Sequence, residues 1–337
     1  MKKKLSLYAI CHSIWMKLKR KKFMLPIVIL WDYRNYVRAR SALKKLIADK
    51  NDDEIYLVLS NGFGDPLYGL SLLDALIDKY PDKKFIIICN SAKEKIFRTF
   101  CRDNKVILRL TSPNDETRKR LIHQTKYWNA AKEALSHGIF IMHLNLAWLS
   151  IINSNTSLMS KFREVLDIPE EAPIKYHDLK KVVITSIPDF EKNKQKIVIL
   201  NPYSSTMYTR MPLYEALCDE LLRRGYLVYT NVIEDQEVIR GSQPLKCDFC
   251  EFYSIVSEIS LVVSIRSGIL DLAVPSGVNM FVVYEYLSGF HNLYELGAWK
   301  CTGKIKSVVV REDNDIQGIL DKFSRFLDEL KAEGRIS

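Results

Sequence analysis

Short apolar runs alternate with segments whose apolar positions recur at helical spacing, and this alternation occurs twice along the chain. Residues 55–60, 85–89, 106–109 and 139–144 are apolar runs of strand length, suited to parallel strands covered on both faces. Around them, 66–79, 91–101, 115–136 and 157–166 read as helices. In the first of these, Leu67, Leu70, Leu73, Leu76 and Ile77 form the stripe that faces a core. The pattern breaks at Pro169 and Pro173, and residues 174–195 are charged with scattered apolar positions. It then resumes, with strands at 196–200, 226–230, 260–264 and 279–284. Helices are expected at 213–224, 249–258 and 268–274, with a charged amphipathic helix at 315–332. Such alternation builds parallel sheets flanked by helices, which places the chain in the α/β class. The expected organisation is a basic amphipathic extension over 1–50, a Rossmann-like domain over 51–172, a linker over 173–195 and a second Rossmann-like domain over 196–337. The two domains would face each other across a central cleft.

Two strand-to-helix turns carry the chemistry. The first run ends in Ser60-Asn61-Gly62-Phe63-Gly64-Asp65-Pro66, and proline suits the first turn of a helix. This is not the dinucleotide fingerprint, because Leu67 stands where a third small residue is required. Far downstream, Leu261-Val262-Val263-Ser264-Ile265 runs into Arg266-Ser267-Gly268 and a helix holding Asp271. Unpaired N–H groups at such a turn, small residues and an adjacent Arg suit a phosphate. Gly268 alone would signify no more than a tight turn. A buried Arg needs an anionic partner, and a ligand, Asp271 or Glu285 would each serve.

Composition narrows the partners. The 337 residues carry a net charge of +10, which favours acidic partners such as nucleotides, phosphorylated glycans or anionic lipid. The first 45 residues hold much of the excess, from Lys2 to Lys45, interleaved with Trp15, Trp31, Tyr33 and Tyr36. They suit either docking on an anionic membrane surface or packing on the first domain as a helical extension. Nucleic acid is not expected, since no recognisable module is present. No run reaches the roughly 18 apolar residues of a membrane span. Seven scattered cysteines favour a reducing cytoplasm, and Cys247-x-x-Cys250 lacks the second pair that a structural zinc requires.

Three segments together resemble the GT-B glycosyltransferases, and within them the heptosyltransferase type of glycosyltransferase family 9. They are Gly62-Phe63-Gly64-Asp65-Pro66 with the helix to Leu76, Ile199 to Ser205 followed by Arg210-Met211-Pro212, and Val263 to Ala273 with the strand to Tyr284. Two departures stand out. The family pattern has Asp where this chain has Arg266, and His where it has Asp271. The basic residue before the proline, typically Lys, is here Arg210.

The resemblance implies a metal-independent, inverting transferase with no cofactor. It would move a sugar from a nucleotide-diphosphate donor to a surface glycan or lipid-linked acceptor, in the cytoplasm or on the inner membrane face. Asp65 would be the catalytic base, although an Asp there also suits a helix cap. Ser204, Ser205, Tyr208, Arg210, Arg266, Ser267, Gly268 and Asp271 would bind the donor. Asn61, Gly62, Gly64 and His143 would line the acceptor side of the cleft. Asn201 and the segment from Asn231 to Glu237 also follow strands at positions where such folds contact ligands. The departures at 266 and 271 admit an alternative, a non-catalytic nucleotide-binding or assembly protein on a degenerate GT-B scaffold.

Overall fold

The computed structural model describes residues 25–60, 62–112, 115, 128–143, 146, 149–150, 156–204, 210–285, 290–300, 302–310 and 316–336. It contains two parallel sheets. The first has β1 (Glu54–Leu59), β2 (Lys84–Asn90), β3 (Val106–Thr111) and β4 (Ile139–Met142) in the order β3-β2-β1-β4. The second has β5 (Ile197–Asn201), β6 (Leu227–Asn231), β7 (Gln243–Leu245), β8 (Leu261–Ile265), β9 (Asn279–Glu285) and β10 (Ile305–Val310) in the order β10-β9-β8-β5-β6-β7. Every pairing is parallel. Each sheet therefore reverses its winding once, between β1 and β4 and between β5 and β8. Open α/β sheets take ligands outside the carboxyl ends of the strands at such a reversal.

The alternation of side chains along each strand sorts the apolar residues into layers. Tyr56 and Val58 of β1 pack outward with Ile86, Ile88, Ile139 and Ile141 against α1 (Leu25–Ala48) and α5 (Trp128–Ser136), through Ala42, Leu43 and Ala134. In the second half, Val198, Leu200, Val263 and Phe281 pack outward against α8 (Met211–Arg223) and α12 (Ile316–Ala332). The inward residues of both sheets, among them Leu57, Leu59, Ile199, Val262 and Val282, belong to one continuous core. That core is filled by α2 (Gly64–Leu70), α3 (Leu73–Lys79), α4 (Glu94–Phe97), α6 (Leu158–Leu166), α9 (Phe249–Val256) and α10 (Gly268–Ala273). Two short helices, α7 (Phe190–Asn193) and α11 (Phe290–Leu293), complete the set among the described residues.

Several elements depart from the sequence reading. The helix expected over 66–79 is two, α2 and α3, broken at Ser71 and Leu72. The break frees the Ser71 carbonyl to accept the Lys175 N–H at 2.8 Å, which ties the connecting segment to the first half. Residues 91–100 form a short mixed helix, Ser91–Lys93, α4 and Arg98–Phe100, rather than a continuous one. Of the helix expected over 115–136, only Trp128–Ser136 falls within the described residues. Two strands gave no signal in the sequence. The edge strand β7 is three residues long and contains Pro244, which only an edge position tolerates. The opposite edge strand, β10, follows Thr302, Gly303 and Lys304 and has only Val308 and Val310 buried.

Residues 167–189 connect the halves without helix or strand and are fastened to both. Lys175 pairs with Asp74, the Val182 N–H donates to Ser254 Oγ at 2.8 Å, and Glu251 accepts from the backbone of Thr185 and Ser186 at 2.6 and 2.8 Å. His177 is buried, with Nε2–H donating to the Leu272 carbonyl at 2.7 Å. Burial holds its pKa below the usual imidazole range, although the carbonyl favours the charged form. The folded chain thus binds fewer protons at this site than the unfolded chain as pH falls through the ordinary histidine range. Stability should decline there, and His177→Gln should flatten that limb, read as urea unfolding at stepped pH between 7.5 and 5.5.

Candidate active site at the two glycine turns

The carboxyl ends of β1 and β8 converge. The Gly62–Asp65 turn leaves β1 and enters α2, and the Arg266–Gly268 turn leaves β8 and enters α10. The two turns meet backbone to backbone. A Cβ on Gly268 would stand 2.8 Å from the Gly64 nitrogen, and one on Gly64 would stand 3.1 Å from Asp271 Oδ2. Glycine at both positions is the condition for this approach. Phe63 packs edge-on against Phe249 of the other half at 4.4 Å between centroids, and Lys93 Nζ lies 4.0 Å from the centroid of its ring.

On the first side stands Asp65. Tyr294 Oη donates to its Oδ1 at 3.1 Å, and His143 Nε2 lies 3.8 Å from its Oδ2. Both side chains keep contact with solvent, 15% exposed for Asp65 and 28% for His143. His143 follows β4, so β1 and β4 deliver the pair from the two sides of the winding reversal. A helix-capping role does not apply to Asp65. It is the second residue of α2, and the cap position is Phe63, whose side chain makes no capping hydrogen bond.

On the second side the sequence reading needs correction. Arg266 is not a solvent-facing cation awaiting a donor phosphate. Its side chain is 3% exposed and Asp271 is fully buried, and Nη2 donates to Asp271 Oδ1 at 2.6 Å. It also donates to the Tyr294 carbonyl at 2.7 Å, the Ser267 carbonyl at 2.5 Å and Tyr68 Oη at 3.3 Å. Trp299 Nε1 adds a second donor to Asp271 Oδ1 at 2.9 Å. Burial opposes the charge on Arg266, but Asp271, with the Tyr68 and Tyr284 hydroxyls, outweighs it and holds the guanidinium protonated. Of the two partners open on sequence grounds, a ligand or an acidic side chain, the structure supplies Asp271. Asp271 is occupied at Oδ1 by Arg266 and Trp299, while its buried Oδ2 has no hydrogen-bond partner among the described residues and lies against the Gly64 turn.

Beside this pair runs a ladder of buried amides and hydroxyls at the ends of β5, β6 and β8. Asn231 Nδ2 donates to Asn201 Oδ1 at 2.9 Å, and Asn201 Nδ2 donates to Ser264 Oγ at 2.9 Å and Ser267 Oγ at 3.1 Å. Ser204 and Arg210 are half-buried on the loop after β5, Arg210 at the cap position of the 13-residue α8. The six residues of α10 make a short dipole, so an anion here would depend on Arg210 and on the hydroxyls. Asn61, Ser205 and Tyr208 lie outside the described residues. Cys247 and Cys250 are half-buried thiols, Cys247 pushed up to about 12 by burial. Among the described residues no group of three or more His, Cys, Asp or Glu side chains could hold a metal ion.

Tyr68, Tyr294 and Trp299 escaped the sequence reading. Tyr68 comes from α2 yet is fully buried in the other half, its ring 4.6 Å from Trp299 and its hydroxyl between Arg266 and the Glu295 carbonyl. It lies outside the Leu67–Ile77 stripe that the helical spacing marked, and nothing local indicated that it enters the other half. Breaking the ion pair with Asp271→Ala strands a buried guanidinium and should cost about 3–5 kcal/mol. Gly268→Ala forces the turns apart and should cost about 1–3 kcal/mol. Urea denaturation midpoints of the two variants check both values.

No protein-family model matches the chain, and no curated protein sequence does. Among solved structures it is similar to the ADP-heptose LPS heptosyltransferase II of E. coli, with 12% identity and a TM-score of 0.51 over 82% of this chain and 99% of that one. A glycosyl transferase family 9 protein from Veillonella parvula aligns at 11% identity and TM-score 0.49 over 81% and 92% of the two chains. The E. coli heptosyltransferase WaaC with ADP aligns at 13% and 0.48 over 83% and 98%. The first likeness establishes the fold, which is the two-lobed GT-B arrangement.

Proposed function

We propose that the chain is a glycosyltransferase that moves a sugar from a nucleoside-diphosphate donor onto an acceptor hydroxyl. Its main support is Asp65, a carboxylate with solvent access at the winding reversal of one sheet, directly across from the turn at the winding reversal of the other. In this reading Asp65 takes the proton of the acceptor hydroxyl. The acceptor oxygen then attacks the anomeric carbon from the face opposite the diphosphate, so the configuration inverts. The bond from that carbon to the diphosphate oxygen breaks, and its electron pair leaves with the nucleoside diphosphate. Arg210, with the Ser204 and Ser267 hydroxyls, meets the growing charge without a metal. The close contact of Gly64 with Gly268 leaves no room for a diphosphate between them, so the donor approaches from the side of Asn201 and Ser204.

The acceptor in this proposal is a surface glycan or its lipid-linked precursor, reached from the cytoplasmic face of a membrane. Among the described residues no helix is long and apolar enough to cross one. α1 buries Ala39, Ala42 and Leu43 on the first half while Tyr33, Val37, Arg38, Lys44 and Lys45 stay exposed, so packing and surface docking are compatible. Charge reversal at Arg38, Lys44 and Lys45 should reduce co-sedimentation with phosphatidylglycerol vesicles while leaving zwitterionic vesicles unaffected. Unchanged partitioning would remove the membrane from the proposal.

Transfer is tested with a panel of ADP-, GDP- and UDP-linked sugars, following release of the nucleoside diphosphate in the presence of EDTA. Asp65→Asn should lower kcat by about 100-fold at nearly unchanged donor affinity. Arg210→Ala should weaken donor affinity by about tenfold, the loss of one charge-assisted contact. Calorimetric binding of a donor without turnover by the wild type would point to the non-catalytic alternative.

A further inference from the structure

Tyr294 is held in place by the second half and acts on the first. It follows the four residues of α11, and its carbonyl accepts from Arg266 Nε at 2.7 Å and from the Tyr284 hydroxyl at 3.2 Å. Its ring lies beside the same guanidinium, with Cζ 5.7 Å from the centroid. From this anchor the hydroxyl reaches out of its own half to Asp65 Oδ1, a residue 229 positions away. Burial, and after it the negative charge of Asp65, pushes the phenol far above its usual range, so towards a carboxylate it acts as donor only. A connected path of contacts thus runs from Asp271 to Arg266, to Tyr294 and to Asp65.

We propose that Tyr294 is a positioning residue for Asp65: its hydroxyl, supplied by the opposite half, fixes the plane of the carboxylate from the Oδ1 side. Fixing one oxygen with a donor that cannot itself accept the transferred proton directs basicity to the other oxygen, beside His143 at 3.8 Å. Because the donor belongs to the far half, the base is aligned only while Gly64 and Gly268 are in contact. The buried ion pair then has a task beyond packing, which is to hold the Tyr294 backbone at the distance from which its hydroxyl reaches Asp65.

This inference rests on Asp65 being the base, and the test separates the two claims. Tyr294→Phe keeps the ring and removes only the hydroxyl, so the full chain should fold. It is compared with Asp65→Asn and with the double variant, using nucleoside-diphosphate release from the same ADP-, GDP- and UDP-linked sugars. Tyr294→Phe should lower kcat by about tenfold through lost orientation, with donor KM unchanged. It should add nothing once Asp65→Asn is present. A double-mutant cycle on urea unfolding should show the two positions coupled. Coupling in unfolding with an unaltered kcat would make the hydrogen bond merely structural and overturn the proposal, while an impaired Asp65→Asn would keep the base. Additive losses in kcat would also overturn it. Full activity in Asp65→Asn, or no turnover of any donor by the wild type, would overturn the base reading and the proposal with it.

Discussion

A single buried ion pair, Arg266 with Asp271, organises the meeting of the two halves. Taking two charges out of water costs several kcal/mol per ion, and only full hydrogen bonding returns that cost. The structure approaches that condition with groups from several elements, and leaves one buried atom, Asp271 Oδ2, without a hydrogen-bond partner among the described residues. Arg266 spends its hydrogens on Asp271, two backbone carbonyls and the Tyr68 hydroxyl, and Asp271 gains the Trp299 indole. Among the described residues Tyr68 is the contributor from the first half, so part of the pair's solvation is present only when the halves are docked. The pair is therefore both a core feature of the second half and a condition on the interface.

The interface is made of more than polar contacts. The inward faces of both sheets drain into one apolar cluster, so the halves share a core instead of presenting two wet walls. Against that background the contact of Gly64 with Gly268 reads as a hard stop: the backbones touch, a side chain is excluded at Gly268, and one at Gly64 would press on Asp271 Oδ2. A substrate must then use the flank of the contact, where the Asn231–Asn201–Ser267 ladder ends and the half-buried Ser204 and Arg210 begin.

Residues whose roles are local were legible in the sequence. The apolar runs that became β1, β2, β5, β8 and β9 are buried on both faces, and such runs declare themselves without knowledge of their neighbours. β7 and β10 did not, because an edge strand with one buried face, or with proline inside it, carries too little apolar signal. In the site, the two glycine turns and Asp65 were visible because a turn chemistry has a local spelling. Tyr294 was not, since nothing near it in sequence indicates a partner 229 residues away. Arg266 was legible as a residue needing an anion. Which anion depended on the path of a helix that buries Asp271 beneath it.

The same geometry explains how the fold accommodates its departure from the resembling pattern. The pattern has an acid at 266 and a His at 271, and this chain has a base at 266 and an acid at 271. Had one position changed alone, two like charges, or one charge with no counterpart, would sit where exposure is 3% and 0%. Exchanging the order of charge keeps a compensated couple five residues apart, across the same strand-to-helix turn. The exchange also has a directional effect. It puts a rigid, multiply donating guanidinium where it can grip the Tyr294 carbonyl, and keeps a carboxylate oxygen, Asp271 Oδ2, against Gly64. A histidine in place of the carboxylate would offer a donor to that turn. A carboxylate cannot, and Tyr294 Oη is a donor that reaches Asp65 from the second half.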